Sequence, residues 1–306
     1  MTAILALFEG MRPRQWVKNF LLLFGVVFAR QAGNPDSLLL AFQGFAVFCL
    51  LSGSVYLFND RLDLEQDRCH PKKCHRPMAS GRLGEGLFRA AFPVFVLLAL
   101  VWSWSLGKNF FLLALAFFLL NLLYSTWMKH QVVLDVFGIA MNFVMRAVAG
   151  VAVLAPQMVA GFEGSGVSDS GSVFLSPWLL VTTFFGALFL AFAKRRSELL
   201  HLEKPESHRR VLKNYTAPLL DQLLSISAAA VLLSYALYTL WPQTVEHLGQ
   251  DILLSAFFVT YGVMRYFYLI YRRDLGGDPS EVFLRDRPLQ FGILLYVLSV
   301  LYSVGT

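Results

Sequence analysis

Long apolar runs alternate with short polar stretches along the whole chain. A helix that crosses the hydrocarbon core of a bilayer needs about 20 consecutive, mainly apolar residues. Nine runs are candidates for such helices. The longer candidates are residues 38–58, 112–127, 132–155, 173–193, 219–241, 252–271 and 288–302, and the shorter ones are 20–32 and 92–107. The pattern predicts an all-α, polytopic membrane protein, built as a bundle of about nine transmembrane helices.

The composition agrees with a membrane protein and indicates no second domain. Of the 306 residues, 57% are hydrophobic and 15% are charged, whereas a soluble domain has about 25% charged residues. The longest polar stretches have the length of loops, so we expect a single domain over residues 1–306. Cys49 lies inside an apolar run, so the three cysteines do not predict a disulfide framework.

The positions of the basic residues predict an orientation. With nine spans and a cytoplasmic N-terminus, most of the 26 Lys and Arg residues fall on the cytoplasmic side, in agreement with the positive-inside rule. The polar chemistry is concentrated in three predicted cytoplasmic loops, residues 59–89, 194–217 and 272–287. We therefore expect the active or binding surface to face the cytoplasm.

An acidic stretch follows the first long apolar run, in the segment "NDRLDLEQDRCHPKKCHRP" (residues 59–77). Asn59, Asp63 and Asp67 are spaced i, i+4, i+8, which places them on one face of a helix with Asp60 beside them. Acids stacked on one face repel each other, and a bound cation offsets that repulsion. Because all these ligands are oxygens, they suit Mg²⁺, which commonly bridges carboxylates to a substrate diphosphate. The alternative is a solvated helix end with ordinary surface acids.

Two Cys-His pairs in the same segment raise the question of a zinc site. Cys69, His70, Cys74 and His75 fall within seven residues, with a proline and two lysines between the pairs. Structural zinc sites usually separate their two pairs more widely, and the lysines disfavour a second cation. The sequence therefore favours magnesium at the acids over zinc at these pairs.

A basic cluster, "KRRSEL", follows the run that ends at residue 193. Lys194, Arg195 and Arg196 suit contacts with phosphate groups, although at least one of them is expected to be a topological anchor. Glu198 lies four residues after Lys194 and three after Arg195, so it is placed to fix one of these side chains.

The start of the predicted fifth span carries further polar candidates. Asp135 is the only acid in a long apolar stretch, and such residues are functional candidates by default. Tyr124 and Lys129 precede it, and Asn142 lies on the same helical face. Arg146 follows on that face, where it either contacts a phosphate or pairs with an acid within the bundle.

The motif "NDxxDxxxD" resembles the first aspartate-rich motif of the UbiA superfamily of intramembrane prenyltransferases. The fuller run "ND..D.E.D..HP.K..RP.ASG" (residues 59–81), together with "RPRQWVKN" (residues 12–19), is similar to the decaprenyl-phosphate phosphoribosyltransferase branch. The resemblance covers essentially the whole chain and continues in four further motifs. These are residues 124–150, 194–199, 209–215 and 276–289.

The resemblance implies a fold, a reaction and a cofactor. The fold is a nine-helix bundle, and the reaction moves 5-phosphoribose from 5-phosphoribosyl-1-diphosphate to a polyprenyl phosphate such as decaprenyl phosphate. Mg²⁺ is the implied cofactor, and membrane lipids are implied partners. The implied location is the inner membrane of a bacterial cell. No nucleic-acid partner is expected, and a homo-oligomer is left open.

The resemblance also implies roles for particular residues. Asp60, Asp63 and Asp67 are the expected catalytic acids, and Asn59 joins them as a metal ligand. The expected donor-phosphate ligands are Lys18, His70, Lys73, Arg76, Lys194, Arg195 and Arg196. An acceptor or second site is expected at Tyr124, Lys129, Asp135, Asn142 and Arg146. Either Lys18 or Arg146 is placed to hold the acceptor phosphate. Related proteins bind a second Mg²⁺ at a second acidic motif, but only Asp135 and Asn142 stand there in this sequence.

Two rival functions remain open at this point. An aromatic prenyltransferase of quinone or haem biosynthesis belongs to the same superfamily, but the number of basic residues suits two phosphorylated substrates better than one. A transporter without chemistry predicts internal repeats and polar midplane residues, and the sequence shows no clear repeat.

Overall fold

The computed structural model describes residues 3–28, 31, 33–70, 73–154, 176–201, 209–273, 276–277 and 279–305. All regular structure in these ranges is helical, which confirms the all-α prediction. The α-helices are α1 (Ala3–Gly10), α2 (Phe20–Phe28), α3 (Pro35–Leu62), α4 (Leu64–Arg68), α5 (Glu85–Ser105), α6 (Lys108–Thr126), α7 (Leu134–Ala152), α8 (Pro177–His201), α9 (Ala217–Leu240), α10 (Pro242–Leu248), α11 (Leu254–Arg273), α12 (Pro279–Arg285) and α13 (Arg287–Gly305). Short 3₁₀ helices lie at Pro13–Asn19, Lys73–His75, Met128–His130, Arg210–Asn214 and Gln250–Leu253.

Seven helical segments in the described part of the chain are long and apolar enough to cross a membrane. They are Pro35–Leu62, Glu85–Ser105, Lys108–His130, Leu134–Ala152, Pro177–His201, Ala217–Leu240 and Gln250–Arg273. A shorter apolar helix covers Arg287–Ser303, and α2 has nine residues. The chain is therefore an integral, multi-pass membrane protein, with seven candidate spans by length and composition where the sequence pattern predicted about nine.

Two of the predicted cytoplasmic loops begin inside helices. Helix α8 continues to His201, so Lys194, Arg195 and Arg196 lie in its last turns and not in a loop that starts at residue 194. Helix α3 likewise continues to Leu62, past the predicted loop start at residue 59. Lys, Arg, Glu and Leu all have high helix propensity, so charge alone does not end a helix.

Residue contacts divide the chain into two compact units. The first unit comprises residues 1–128 and 145–175, and the second comprises residues 129–144 and 176–306. Buried side chains of the first unit form one cluster around Phe48 and Phe117 and another around Met11 and Leu57. The second unit has its own core, which includes Phe192, Leu212 and Leu224.

Two glycines in the first unit allow α2 and α7 to touch through their backbones. A Cβ atom on Gly150 would lie 2.1 Å from the carbonyl oxygen of Leu22. A Cβ atom on Gly25 would lie 2.4 Å from the carbonyl carbon of Gly150. Backbone atoms cannot move aside as flexible side chains can, so both positions require glycine for this contact.

Replacing Gly150 with Ala is expected to lower the free energy of unfolding by about 1–3 kcal/mol, the usual cost of overpacking. The midpoint of thermal unfolding of the purified protein in detergent measures this. Gly262→Ala is the matched control, since a Cβ atom there meets nothing within 4 Å and alanine favours the helix. Equal destabilisation by the two substitutions would contradict the close contact of α2 with α7.

Candidate active site

The predicted acidic motif lies at the end of α3, where the helix breaks and restarts. Asp63 ends α3 and precedes α4, with φ −93° and ψ 10°. The turns still follow each other, because the Asp63 N–H donates to the Asn59 carbonyl at 3.0 Å and the Asp67 N–H donates to the Asp63 carbonyl at 2.8 Å. Asp60 and Asp67 are seven residues apart, close to two helical turns, so both side chains lie on nearly the same side.

Asp60 and Asp67 are the two buried acids of this motif, with 3% and 2% of their surfaces exposed. Their carboxylates converge on one guanidinium. The Arg76 Nη1 atom lies 3.2 Å from Asp60 Oδ1 and 2.6 Å from Asp67 Oδ2. Arg12 forms a second ion pair with Asp60. Two buried carboxylates without counter-charges would be very costly, so these two arginines are part of the structure of the site.

Arg12 is held in an uncommon backbone conformation. Its φ of 53° and ψ of 64° are left-handed, a region that few residues other than glycine adopt. Its guanidinium lies 4.9 Å from the centre of the Tyr56 ring, a distance typical of a cation–π contact. Strain of this kind persists only where the surroundings fix the residue, which here means the contacts with Asp60 and Tyr56.

An ion pair joins the N-terminal helix to the loop that carries Arg76. Arg82 donates to both carboxylate oxygens of Glu9, at 2.6 and 2.9 Å, and to the His75 carbonyl at 2.7 Å. The hydrogen bonds from Arg82 hold the pKa of Glu9 below its ordinary value. This contact fixes the segments before Arg12 and after Arg76, so it helps to direct both guanidinium groups at Asp60.

The pair Asp60 and Asp67 fits a magnesium ion whose remaining coordination positions are filled by water and substrate. Among the residues that the structure describes, no three His, Cys, Asp or Glu side chains are grouped so that they could hold a metal. Mg²⁺ typically takes one or two carboxylates and fills its other positions with water and substrate phosphates. Asp60 and Asp67 supply two carboxylates, and both already contact the positively charged guanidinium of Arg76. The spacing argument placed Asn59, Asp63 and Asp67 on one face, whereas the structure groups Asp60 with Asp67 and leaves Asn59 and Asp63 half-buried.

The Cys-His pairs lie in the loop after α4. Cys69 is exposed and Cys74 is half-buried, and neither belongs to a group of three metal-ligating side chains in the described ranges. The His70 Nδ1 atom accepts the backbone N–H of Lys73 at 3.3 Å. This geometry gives the zinc alternative no support.

The first unit also holds Arg146, in a buried polar cluster. Its Nε donates to Asn19 Oδ1 at 2.7 Å, and its guanidinium lies 4.7 Å from the centre of the Phe117 ring. Asn19 in turn donates to Cys49 Sγ at 3.3 Å. One hydrogen-bond partner of Arg146 is thus a neutral amide, and its contact with an acceptor phosphate stays a prediction. Of the other candidates in this unit, Lys18 is exposed and Tyr124 is half-buried.

Asp135 lies at the centre of a hydrogen-bond network in the second unit. It is fully buried, and it accepts hydrogen bonds from Arg195 Nε and from the Tyr215 hydroxyl, both at 2.7 Å. The Tyr215 oxygen accepts the Val133 N–H at 2.7 Å. Burial raises the pKa of Tyr215, and the Asp135 carboxylate raises it further. Tyr215 therefore stays protonated and fixes Asp135 from one side while Arg195 fixes it from the other.

The three basic residues of "KRRSEL" have different surroundings. Arg195 is 1% exposed and also donates to Glu198 at 2.9 Å, so Glu198 does fix one of these side chains. Arg196 pairs with Asp221 at 2.6 Å and lies 4.3 Å from the centre of the Tyr271 ring. Lys194 is half-buried. The structure thus gives Arg195 a role in a buried ion pair, and phosphate binding by these three residues stays a prediction.

The remaining second-site candidates, Lys129 and Asn142, are also in the second unit. Lys129 is half-buried. Asn142 is buried, and its amide donates to the Gly138 carbonyl one turn earlier at 2.8 Å. Such a bond ties the side chain to its own helix. A role for either residue at a substrate stays a prediction.

Comparison with known proteins gives consistent matches over most of the chain. The model of the UbiA prenyltransferase family matches residues 19–287. The decaprenyl-phosphate phosphoribosyltransferase of Mycolicibacterium smegmatis is 32% identical over 303 residues, which cover 95% of this chain and 90% of that protein. The Corynebacterium glutamicum protein of the same name is 33% identical over 308 residues, 97% of this chain and 86% of that protein.

A solved structure has the same fold. A UbiA homolog from Archaeoglobus fulgidus, bound to DMAPP and Mg²⁺, superimposes with a TM-score of 0.68 over 98% of this chain and 99% of that chain. The sequence identity is 18%, so this likeness concerns the fold alone.

Proposed function

The chain belongs to the UbiA prenyltransferase family, and on this basis we propose that it is a decaprenyl-phosphate phosphoribosyltransferase. It transfers 5-phosphoribose from 5-phosphoribosyl-1-diphosphate to a polyprenyl phosphate and releases diphosphate. The observation that carries this proposal is the convergence of Asp60 and Asp67 on one guanidinium, in a chain whose full-length relatives have this name. Two buried carboxylates that would hold Mg²⁺, beside two arginines, suit a diphosphate leaving group.

The reaction breaks the bond between ribose C1 and the diphosphate oxygen and forms a bond from C1 to the acceptor phosphate oxygen. That acceptor oxygen is already anionic, so the site needs no strong general base. Catalysis then rests on position and on electrostatic stabilisation of the departing diphosphate. A bound Mg²⁺ supplies positive charge to that leaving group.

The residues of the acidic site have separate roles in this proposal. Asp60 and Asp67 hold the magnesium ion, and Asp63 and Asn59 lie at the adjoining helix break. Arg12 and Arg76 pair with the two buried carboxylates in the present structure, and they would be available to contact a diphosphate bound there. Arginine suits bidentate contacts with phosphate oxygens. His70 and Lys73 follow in the same loop as further donor-phosphate ligands.

The membrane arrangement is part of the same proposal. We propose a single domain of nine spans in the inner membrane of a bacterial cell, with the N-terminus and the segments 59–89, 194–217 and 272–287 on the cytoplasmic side. The distribution of Lys and Arg supports this orientation. The apolar helices α2 and α13 are the candidates for spans beyond the seven long ones. A soluble phosphoribosyl donor would then reach the site from the cytoplasm.

A direct assay tests this function. Purified protein is incubated with labelled 5-phosphoribosyl-1-diphosphate and decaprenyl phosphate, and the lipid product is identified by mass spectrometry. We expect product with Mg²⁺, no product in EDTA, and recovery when Mg²⁺ is restored, since a bound metal contributes several kcal/mol to charge stabilisation.

The same preparation distinguishes the rival aromatic prenyltransferase. Incubation with a prenyl diphosphate and an aromatic acceptor is expected to give no transfer, and the prenyl diphosphate is expected to stabilise the protein against heat less than 5-phosphoribosyl-1-diphosphate does. Aromatic prenylation without phosphoribosyl transfer would refute the proposed function. Phosphoribosyl transfer that persists in EDTA would refute only the metal role.

A further inference from the structure

An open pocket of about 450 Å³ lies in the second unit, and nothing in the proposed chemistry yet uses it. Its lining residues are His130, Arg210, Lys213 and Asn214. None of the described residues that line it is acidic. We call this cavity the 210–214 pocket, because three of its residues come from the 3₁₀ helix Arg210–Asn214.

One side of that 3₁₀ helix is fixed in the protein core. Val211 and Leu212 are buried, with 1% and 0% of their surfaces exposed. A 3₁₀ helix has three residues per turn, so residues at positions i and i+3 lie directly above one another. Arg210 and Lys213 therefore share the opposite side, where both are exposed. The burial of one side holds the two cations next to each other at the pocket.

Tyr215 links the two segments that line the pocket, the one that carries His130 and the one that carries Arg210. It follows the 3₁₀ helix directly and is anchored on Asp135, while its oxygen accepts the N–H of Val133. Val133 has a φ of 69°, and a β-branched residue in this region is a conformational outlier. Such strain clusters at functional sites and persists when the surroundings fix it. The segment that carries His130 is thus held in a strained form against the segment that carries Arg210.

We propose that the 210–214 pocket binds a phosphate monoester. Arginine offers a fork of donors that matches phosphate oxygens, lysine offers a compact positive charge, and the asparagine amide adds neutral donors. The volume lies within the range of about 300–1,000 Å³ that is typical of small-molecule sites. The residues of the pocket alone indicate that the ligand is a phosphate monoester. The identity of the molecule that carries this phosphate rests on the proposed function. The 5-phosphate of the donor and the phosphate of the lipid acceptor are both monoesters.

Binding measurements on the full-length protein in detergent test this inference without requiring turnover. Isothermal titration calorimetry with ribose 5-phosphate probes the donor phosphate, and titration with geranyl phosphate probes the acceptor phosphate. Arg210→Ala and Lys213→Ala are each expected to lower the affinity for one of the two probes at least about tenfold, since a charge-assisted hydrogen bond is lost. Arg210→Lys keeps the charge and is expected to lose less than Arg210→Ala.

The matched control is Arg272→Ala, which removes an exposed arginine of the same unit at the end of α11. It changes the net charge by the same amount, so it corrects for long-range attraction. Its affinity for both probes is expected to stay within twofold of the wild-type affinity. Thermal unfolding of each variant shows that the fold is retained, as expected for exposed side chains.

The outcomes separate this inference from the proposed function. If the variants lose affinity for ribose 5-phosphate alone, the pocket binds the phosphate of the donor. If they lose affinity for geranyl phosphate alone, it binds the phosphate of the acceptor. Unchanged affinity for both probes, or an equal loss of affinity in Arg272→Ala, would contradict phosphate binding in the pocket. Arg210 and Lys213 would then be topological anchors. A protein that binds a phosphate monoester here but transfers no phosphoribose would refute the proposed function and keep the pocket.

Discussion

The variant Asp67→Asn is expected to lose phosphoribosyl transfer almost completely while it keeps its fold. Asparagine has the size and shape of aspartate but carries no charge, so the buried pair with Asp60 can no longer hold a divalent cation firmly. Metal-ion stabilisation of a leaving group is worth several kcal/mol, and about 1.4 kcal/mol corresponds to a tenfold change in rate. We therefore expect kcat/KM to fall by about 1,000-fold or more, measured by the lipid-product assay at saturating Mg²⁺.

Glu65→Gln provides the matched control for this loss. Glu65 lies two residues before Asp67 in α4, but its side chain is 82% exposed and pairs with Arg68 on the surface at 3.0 Å. The same change from carboxylate to amide is expected to leave kcat/KM within twofold. If Asp67→Asn retained wild-type activity and the wild-type Mg²⁺ requirement, the Asp60–Asp67 pair would not be the metal site.

A magnesium titration distinguishes loss of the metal from damage to the site. With a weakened metal site, Asp60→Asn is expected to show residual activity that rises as Mg²⁺ is raised well above the wild-type requirement. A variant whose low activity does not respond to Mg²⁺ would instead indicate that Arg12 and Arg76 had lost their positions. These two arginines share Asp60 as a partner, so both explanations must be tested.

The sequence predicted the helices and the acidic motif because both are local patterns. Apolar runs specify membrane helices through length and composition alone, and spacing on a helix identifies acids that lie near each other. The pair Asp60–Asp67 follows from the same geometry, because seven residues make nearly two turns. The i, i+4 spacing placed Asn59, Asp63 and Asp67 on one face with Asp60 beside them, and a rule for regular helices does not represent the break of the helix at Asp63.

Contacts between distant segments were beyond such local rules. Arg12 and Asp60 are 48 residues apart, and Asp135 and Tyr215 are 80 apart. Arg12 lies in the motif "RPRQWVKN", which contributes to the family resemblance, and this is the one signal that could have suggested a place for Arg12 in the site. Arg195 shows the same limit, because the structure places it in a buried ion pair with Asp135 that the residue type alone did not indicate, while its contact with a phosphate stays a prediction. Whether a basic side chain faces a carboxylate or a substrate depends on tertiary packing.

The buried pair of Asp135 and Arg195 is expected to produce the largest stability effects in the protein. Both side chains are almost completely buried, at 0% and 1% exposure, and they lie 2.7 Å apart. Removing one member of a buried pair typically costs about 3–5 kcal/mol, and without Asp135 the buried Arg195 loses its fully buried partner and keeps its contact with Glu198, which is 19% exposed. We expect Asp135→Leu and Arg195→Met each to lower the free energy of unfolding by about this amount, measured by chemical unfolding in detergent.

The double variant Asp135→Leu/Arg195→Met is expected to be more stable than either single variant, because apolar side chains of similar volume replace both charges. Arg196→Met is the control one residue away. Its partner Asp221 is 37% exposed, so the loss of this pair is expected to cost at most about 1 kcal/mol.

Single variants as stable as the wild type would contradict the buried pair. A stable double variant that still transfers phosphoribose would show that Arg195 acts through the fold, whereas a stable but inactive one would return Arg195 to the donor-phosphate ligands.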